Sequence, residues 1–175
     1  MRYVCAAFIA SLALSIGACS SDHKTTTIST GNGTTATVDT TTGGNGSGGT
    51  TTVTTNQGTV SMGQGAVDTS KIGIPIYPGA TAGNGGWSVQ SKQSSGQVVS
   101  LTTSDSFSKV EAWYKTQLGS DTERMNVTEG NTSSAVFQVG KESDADQKSI
   151  EITSDGTKTT IVLSHKTTAP SPSGS

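Results

Sequence analysis

The chain is poor in the groups that do covalent chemistry. It has two cysteines and two histidines in 175 residues, and Cys5, Cys19 and His23 all fall near the start. Beyond them the only imidazole is His165. Neither a disulfide framework nor a zinc cluster can be assembled from such a set. No serine sits in a G-x-S-x-G elbow, so a hydrolytic triad has nothing to be built from. Charged residues make up 14% and aromatics 5%, and charge alone is about 25% of an ordinary globular chain. No basic cluster accompanies exposed aromatics, which a nucleic-acid partner would need. The apolar run from Val4 to Ile16 is too short to cross a bilayer, which takes about 20 residues. These scarcities point away from an enzyme and imply no cofactor, no metal and no nucleic acid.

What is present begins at the N-terminus. Arg2, the apolar run and the small residues Gly17-Ala18 are laid out as a secretory signal peptide. Cys19 follows directly, and Ile16-Gly17-Ala18-Cys19 resembles the bacterial lipobox. That resemblance implies cleavage before Cys19, two acyl chains on its sulfur and a third, of the palmitate class, on the new amino group. Stable anchoring takes two or more chains, so the mature protein is expected to stay on the membrane through Cys19. Ser20 stands where Asp would favour inner-membrane retention, which points to the outer membrane. Cys5 leaves with residues 1–18, so the mature chain has no free thiol. Its net charge becomes −3, against −2 for the whole chain, and with only Lys24 near the anchor it has no cluster for anionic lipid.

Residues 19–70 are of one kind. From Asp22 to Ser70 there are 17 Thr and 10 Gly in 49 residues, with no aromatic and no Leu. So little apolar surface does not offset backbone ordering, at roughly 1–2 kcal/mol per residue. The expectation is a flexible, disordered tether with an r.m.s. span of about 35–42 Å. Thr26-Thr27-Ile28, Thr35-Ala36-Thr37-Val38 and Thr51-Thr52-Val53-Thr54 are weak repeats of strand-favouring residues, the one sign of a β-rich stalk.

Residues 71–166 carry 24 large apolar side chains, enough for one small core. Ile72, Ile74 and Ile76 alternate, with Pro75 allowing only an edge strand or an extended segment. Gly83-Asn84-Gly85-Gly86 reads as a loop. Trp87/Val89 and Val99/Leu101 read as a hairpin joined near Ser94-Ser95-Gly96. Phe107, Val110, Tyr114 and Leu118 share one face of a helix over 106–118, with Asp105 as N-cap and Gly119 as stop. Asp155-Gly156 predicts a two-residue hairpin turn between strands 148–153 and 158–164, with Ile150 opposite Ile161. Residues 167–175 read as a disordered tail. The expected fold class is α+β: one amphipathic helix on an antiparallel sheet of about five to six strands, preceded by the tether.

Ile74-Pro75-Ile76-Tyr77-Pro78-Gly79-Ala80, followed by Asp105-Ser106 and Lys109-Val110-x-x-Trp113-Tyr114-Lys115-x-x-Leu118, resembles a domain of uncharacterised bacterial envelope lipoproteins. Trp113 stands where Phe is usual. The resemblance implies one folded unit over roughly residues 57–164 and carries over no catalytic residue.

Several local patterns suggest chemistry and fail on context. Ser106-Phe107-Ser108-Lys109 matches S-x-x-K of penicillin-recognising enzymes, but the chain lacks room for their helical domain, and a helix start with an exposed lysine suffices. Glu142, Asp144 and Asp146 alternate like calcium ligands, yet Gln147 and Thr153 stand where such a loop needs Gly and Glu. Gly44-x-Gly46-x-x-Gly49 follows no strand and opens no helix. His165 reads as a strand-end surface residue. Asp39-Thr40-Thr41 fits a bacterial O-glycosylation pattern that is frequent by chance. Trp87, beside the glycine-rich loop, is the candidate ligand contact: a tryptophan there could stack on sugar or peptidoglycan, or could simply be a hairpin or core residue. The sequence therefore suggests a non-catalytic, lipid-anchored envelope module meeting another envelope protein or peptidoglycan. The alternative is a structural or display protein whose Thr/Gly stalk presents a cap.

Overall fold

The computed structural model describes residues 23–29, 35–43, 48–141 and 145–169. Cys5, Cys19 and the rest of residues 1–22, with Gly44, Gly46, Glu142 and Asp144, lie outside them. Among the described residues there are ten strands and one α-helix: β1 His23–Ser29, β2 Thr35–Thr41, β3 Thr50–Thr55, β4 Gly58–Gly63, β5 Thr81–Ser91, β6 Ser94–Thr103, α1 Phe107–Leu118, β7 Glu123–Glu129, β8 Thr132–Val139, β9 Asp146–Ser154 and β10 Thr159–Thr168. All ten form one antiparallel sheet in the order β1-β2-β3-β4-β5-β6-β10-β9-β8-β7. The first six strands run as a meander. The helix then carries the chain to the far edge, and β7 to β10 return to pair with β6.

This corrects the expected α+β domain of five to six strands behind a disordered tether. The Thr/Gly-rich segment supplies β1 to β4, and these continue the same sheet through the β4–β5 pairing. Measured by large apolar side chains alone, nothing holds the segment. Its Thr and Val residues are β-branched, however, and fit a pleated surface. The edge of β5 offers a row of backbone partners on which β4, then β3 and β2, can build. At the other end β10 runs to Thr168, into the segment expected to be tail.

Cross-strand partners share a face of the sheet. Leu101, Ile161, Ile152 and Ala135 form one row, and Val99, Leu163, Ile150 and Phe137 the next. These eight are buried beneath α1, which contributes Val110 and Tyr114, both fully buried. The helix face is therefore the one its spacing predicts. Ile72, Ile74 and Tyr77 complete the core from an irregular segment outside the sheet, not from an edge strand. The Tyr114 hydroxyl donates to the Pro75 carbonyl at 3.2 Å.

Three local expectations change. The helix N-cap is Ser106, without a side-chain cap bond; Asp105 instead accepts from the Tyr77 hydroxyl at 2.7 Å and Lys109 Nζ at 2.9 Å. Residues 83–86 lie inside β5, with a shift of register between Ala82 and Gly86, rather than forming a free loop. The β9–β10 turn spans residues 155–158, because Asp155 Oδ1 accepts from the backbone N–H groups of Thr157 and Lys158 at 2.9 and 3.0 Å. Ile150 therefore faces Leu163, and Ile152 faces Ile161. A shift of two residues keeps all four on the core side.

Candidate functional site: the open sheet face at Trp87

The sheet changes its apolar side part-way across. On β6 and β8 to β10 the buried apolar residues point toward α1. On β2 to β5 that same side carries Thr37, Asp39, Thr52, Ser61 and Ser88, and Thr52 and Ser61 hydroxyls bond at 2.9 Å. The apolar residues there lie on the opposite, open face. Val38, Val53, Val60 and Val89 pair in one row that ends at Gly96. Beside it Thr51, Met62, Trp87 and Val98 form a second row. An alternating strand is written for one wet face and one covered face. Among the described residues nothing covers this one: Trp87 is 43% exposed, Met62 51% and Val60 37%.

Trp87 is held by the glycine opposite its neighbour. A Cβ on Gly96 would stand 3.3 Å from Val89 Cγ1 and 3.7 Å from the Trp87 ring, so the indole leans across the strand onto bare backbone. Beside it a shallow hollow of about 240 Å³ is bounded by Val89, Val98, Ser164 and Lys166. A second, of about 250 Å³, lies between Val53, Val60 and Val89. Each is smaller than the roughly 300–1,000 Å³ of a small-molecule pocket. The arrangement is a surface with dimples, suited to contact with another surface.

Trp113 is the other indole and does different work. It packs on the core, edge-on to Tyr77 at 5.4 Å and Tyr114 at 4.8 Å between ring centroids. Lys109 is bonded to Asp105, not to Ser106, so the S-x-x-K pattern places no amine beside the serine hydroxyl. The Tyr77 and Lys109 bonds hold the Asp105 carboxyl below its usual range, while burial and Asp105 push the Tyr77 phenol up.

The sequence reading missed one cluster. His165 Nε2 lies 2.8 Å from Asp146 Oδ1, and Lys148 Nζ lies 3.3 Å from the same oxygen. Burial works against the Asp146 carboxylate, but its bonds to His165 and Lys148 hold it below the usual range. The β9–β10 register, which pairs Lys148 with His165, brings the cluster together, and that register is not legible in the sequence. Asp39 of the glycosylation pattern accepts the Thr25 hydroxyl within the sheet. Among the described residues no three or more His, Cys, Asp or Glu side chains gather as a metal site. No helix among them is long and apolar enough to cross a membrane. No family model, curated protein or solved structure matches the chain.

Proposed function

We propose that this chain is a non-catalytic lipoprotein of the bacterial envelope, anchored through Cys19 at the outer membrane, whose open sheet face is an interaction surface. The carrying observation is the apolar side of β2 to β5, turned away from the core and crowned by Trp87. Monomeric proteins rarely expose contiguous apolar patches beyond a few hundred Å², and larger ones mark contact sites. The lipobox-like stretch supports the anchor. The PIYPGA-type segment and the helix pattern after it support a place among envelope lipoproteins.

The anchor also fixes where this surface lies. Cys19 is four residues from His23, a reach of at most about 14 Å. With β1 to β4 in the sheet, the folded unit stands directly on the membrane at its β1 edge. Two measurements in the native host test the proposal. Lipid-precursor labelling should mark the chain, and Cys19→Ala should abolish the label. A photoreactive residue in place of Trp87 should give covalent adducts in intact cells, and one in place of Thr54, on the polar side of β3, should not. An unlabelled native chain would refute the anchor. Absence of adducts from position 87 would refute the interaction surface.

A further inference from the structure

We infer that the occupant of the open face is a second copy of this chain, paired face to face about a two-fold axis along the valine row. The inference rests on the interaction surface and lipid anchor proposed above, and names the partner.

The relief of the face supports self-pairing. One side of the valine row is tall, with Met62 and Trp87; the other is low, with Gly58 and Ser91 at the matching places of β4 and β5. Gly58 is kept low by its backbone, because a Cβ there would stand 2.2 Å from the Gln90 carbonyl oxygen. A two-fold axis parallel to the valine row turns each tall row onto the low row of the other copy. Met62 then meets Gly58, Trp87 meets Ser91, and Val60 and Val89 meet their own counterparts. Self-complementarity of this kind is what an isologous contact requires.

The anchor selects the same axis. Rotation about the valine row keeps strand positions, so both β1 edges lie at one end of the pair. Both Cys19 residues then reach one membrane with the axis upright. A two-fold axis along the strands would put the anchors at opposite ends.

Area sets the strength. Sheet twist of about 20–25° per strand limits aligned stacking to a few strands. Strands β2 to β6, at a spacing of about 4.8 Å and a length of about 20 Å, present roughly 500 Å² in projection. A stable complex needs about 800 Å² per partner. The pair is therefore weak in dilute solution and forms where two anchors share a membrane and raise the effective concentration.

The test uses the full, lipid-bearing chain in vesicles of phosphatidylethanolamine and phosphatidylglycerol. A photoreactive residue at position 62 should give a band of twice the chain mass, joined to residues 55–60 of the second copy. Val60→Lys should reduce that band at least ten-fold, while Thr54→Lys on the polar side should leave it unchanged. Circular dichroism checks the fold. If Val60→Lys fails to fold, Met62→Lys with the photoreactive residue at position 87 takes its place, and loss of the link to Ser91 is expected. Absence of a doubled band at every surface density overturns the inference, as does a band indifferent to both charge substitutions. Adducts solely with another protein or a glycan also overturn it, while leaving the interaction surface standing. A chain that pairs equally well without lipid on Cys19 leaves the pairing standing and removes the need for a shared membrane.

Discussion

Tyr114 is the side chain on which most of the core converges. It is fully buried, its ring lies 6.1 Å from Phe137 between centroids, and it meets Trp113 edge-on. Tyr114→Ala should cost about 3–5 kcal/mol, the range for removing a large buried ring. Ser106→Ala should cost under about 1 kcal/mol, since that hydroxyl makes no capping bond and surface changes are small. Melting curves of the two variants check the contrast, and a Tyr114→Ala protein as stable as the parent would contradict the core described here. The carboxylates set the response to acid. Asp155 is held down to about 2 by Thr157 and Lys158, and Asp105 is lowered by Tyr77 and Lys109. A lowered folded-state value stabilises above the unfolded value of about 3.9 and is lost as pH falls through the folded one. The melting temperature should therefore decline below about pH 4. Asp155→Asn should flatten the lowest part of that decline, toward pH 2, measured by thermal scans at stepped pH.

The strands and the helix were legible to different degrees. Helix α1 was readable because its four apolar residues repeat at helical spacing, and β9 and β10 because Ile150, Ile152, Ile161 and Leu163 alternate. Their register was not, since the Asp155 side chain organises a four-residue loop where Asp-Gly alone suggested a two-residue turn. Strands β1 to β3 were hidden by a rule that weighs only large apolar side chains. Thr51-Thr52-Val53-Thr54 displays strand propensity, but what orders it is pairing with β4 and, through β4, with β5, a long-range partner. Trp87 was picked out as a contact; its open face became visible only when Met62, Val60 and Val53 were aligned beside it. The interior strands β3 and β4 have neighbours on both sides. Amides of Val53 and Val60 should therefore resist hydrogen exchange, while exposed loop amides exchange freely. Exchange of both at the rate of an unstructured peptide would return the segment to a tether.

The described residues form a sheet with two apolar sides, one toward each end. The C-terminal strands spend theirs on α1, forming the core that folds the chain. The N-terminal strands leave theirs open. Trp87 reports on that face directly once the other indole, Trp113, which belongs to the core, is removed by substitution with Phe. The most direct measurement is acrylamide quenching of Trp87 in full-length Trp113→Phe protein on vesicles of increasing protein density. A paired open face predicts that quenching falls and emission moves to the blue as density rises, with Val60→Lys holding Trp87 in its exposed state throughout. Quenching that is already weak at the lowest density and in Val60→Lys, or that stays strong at every density, would contradict it.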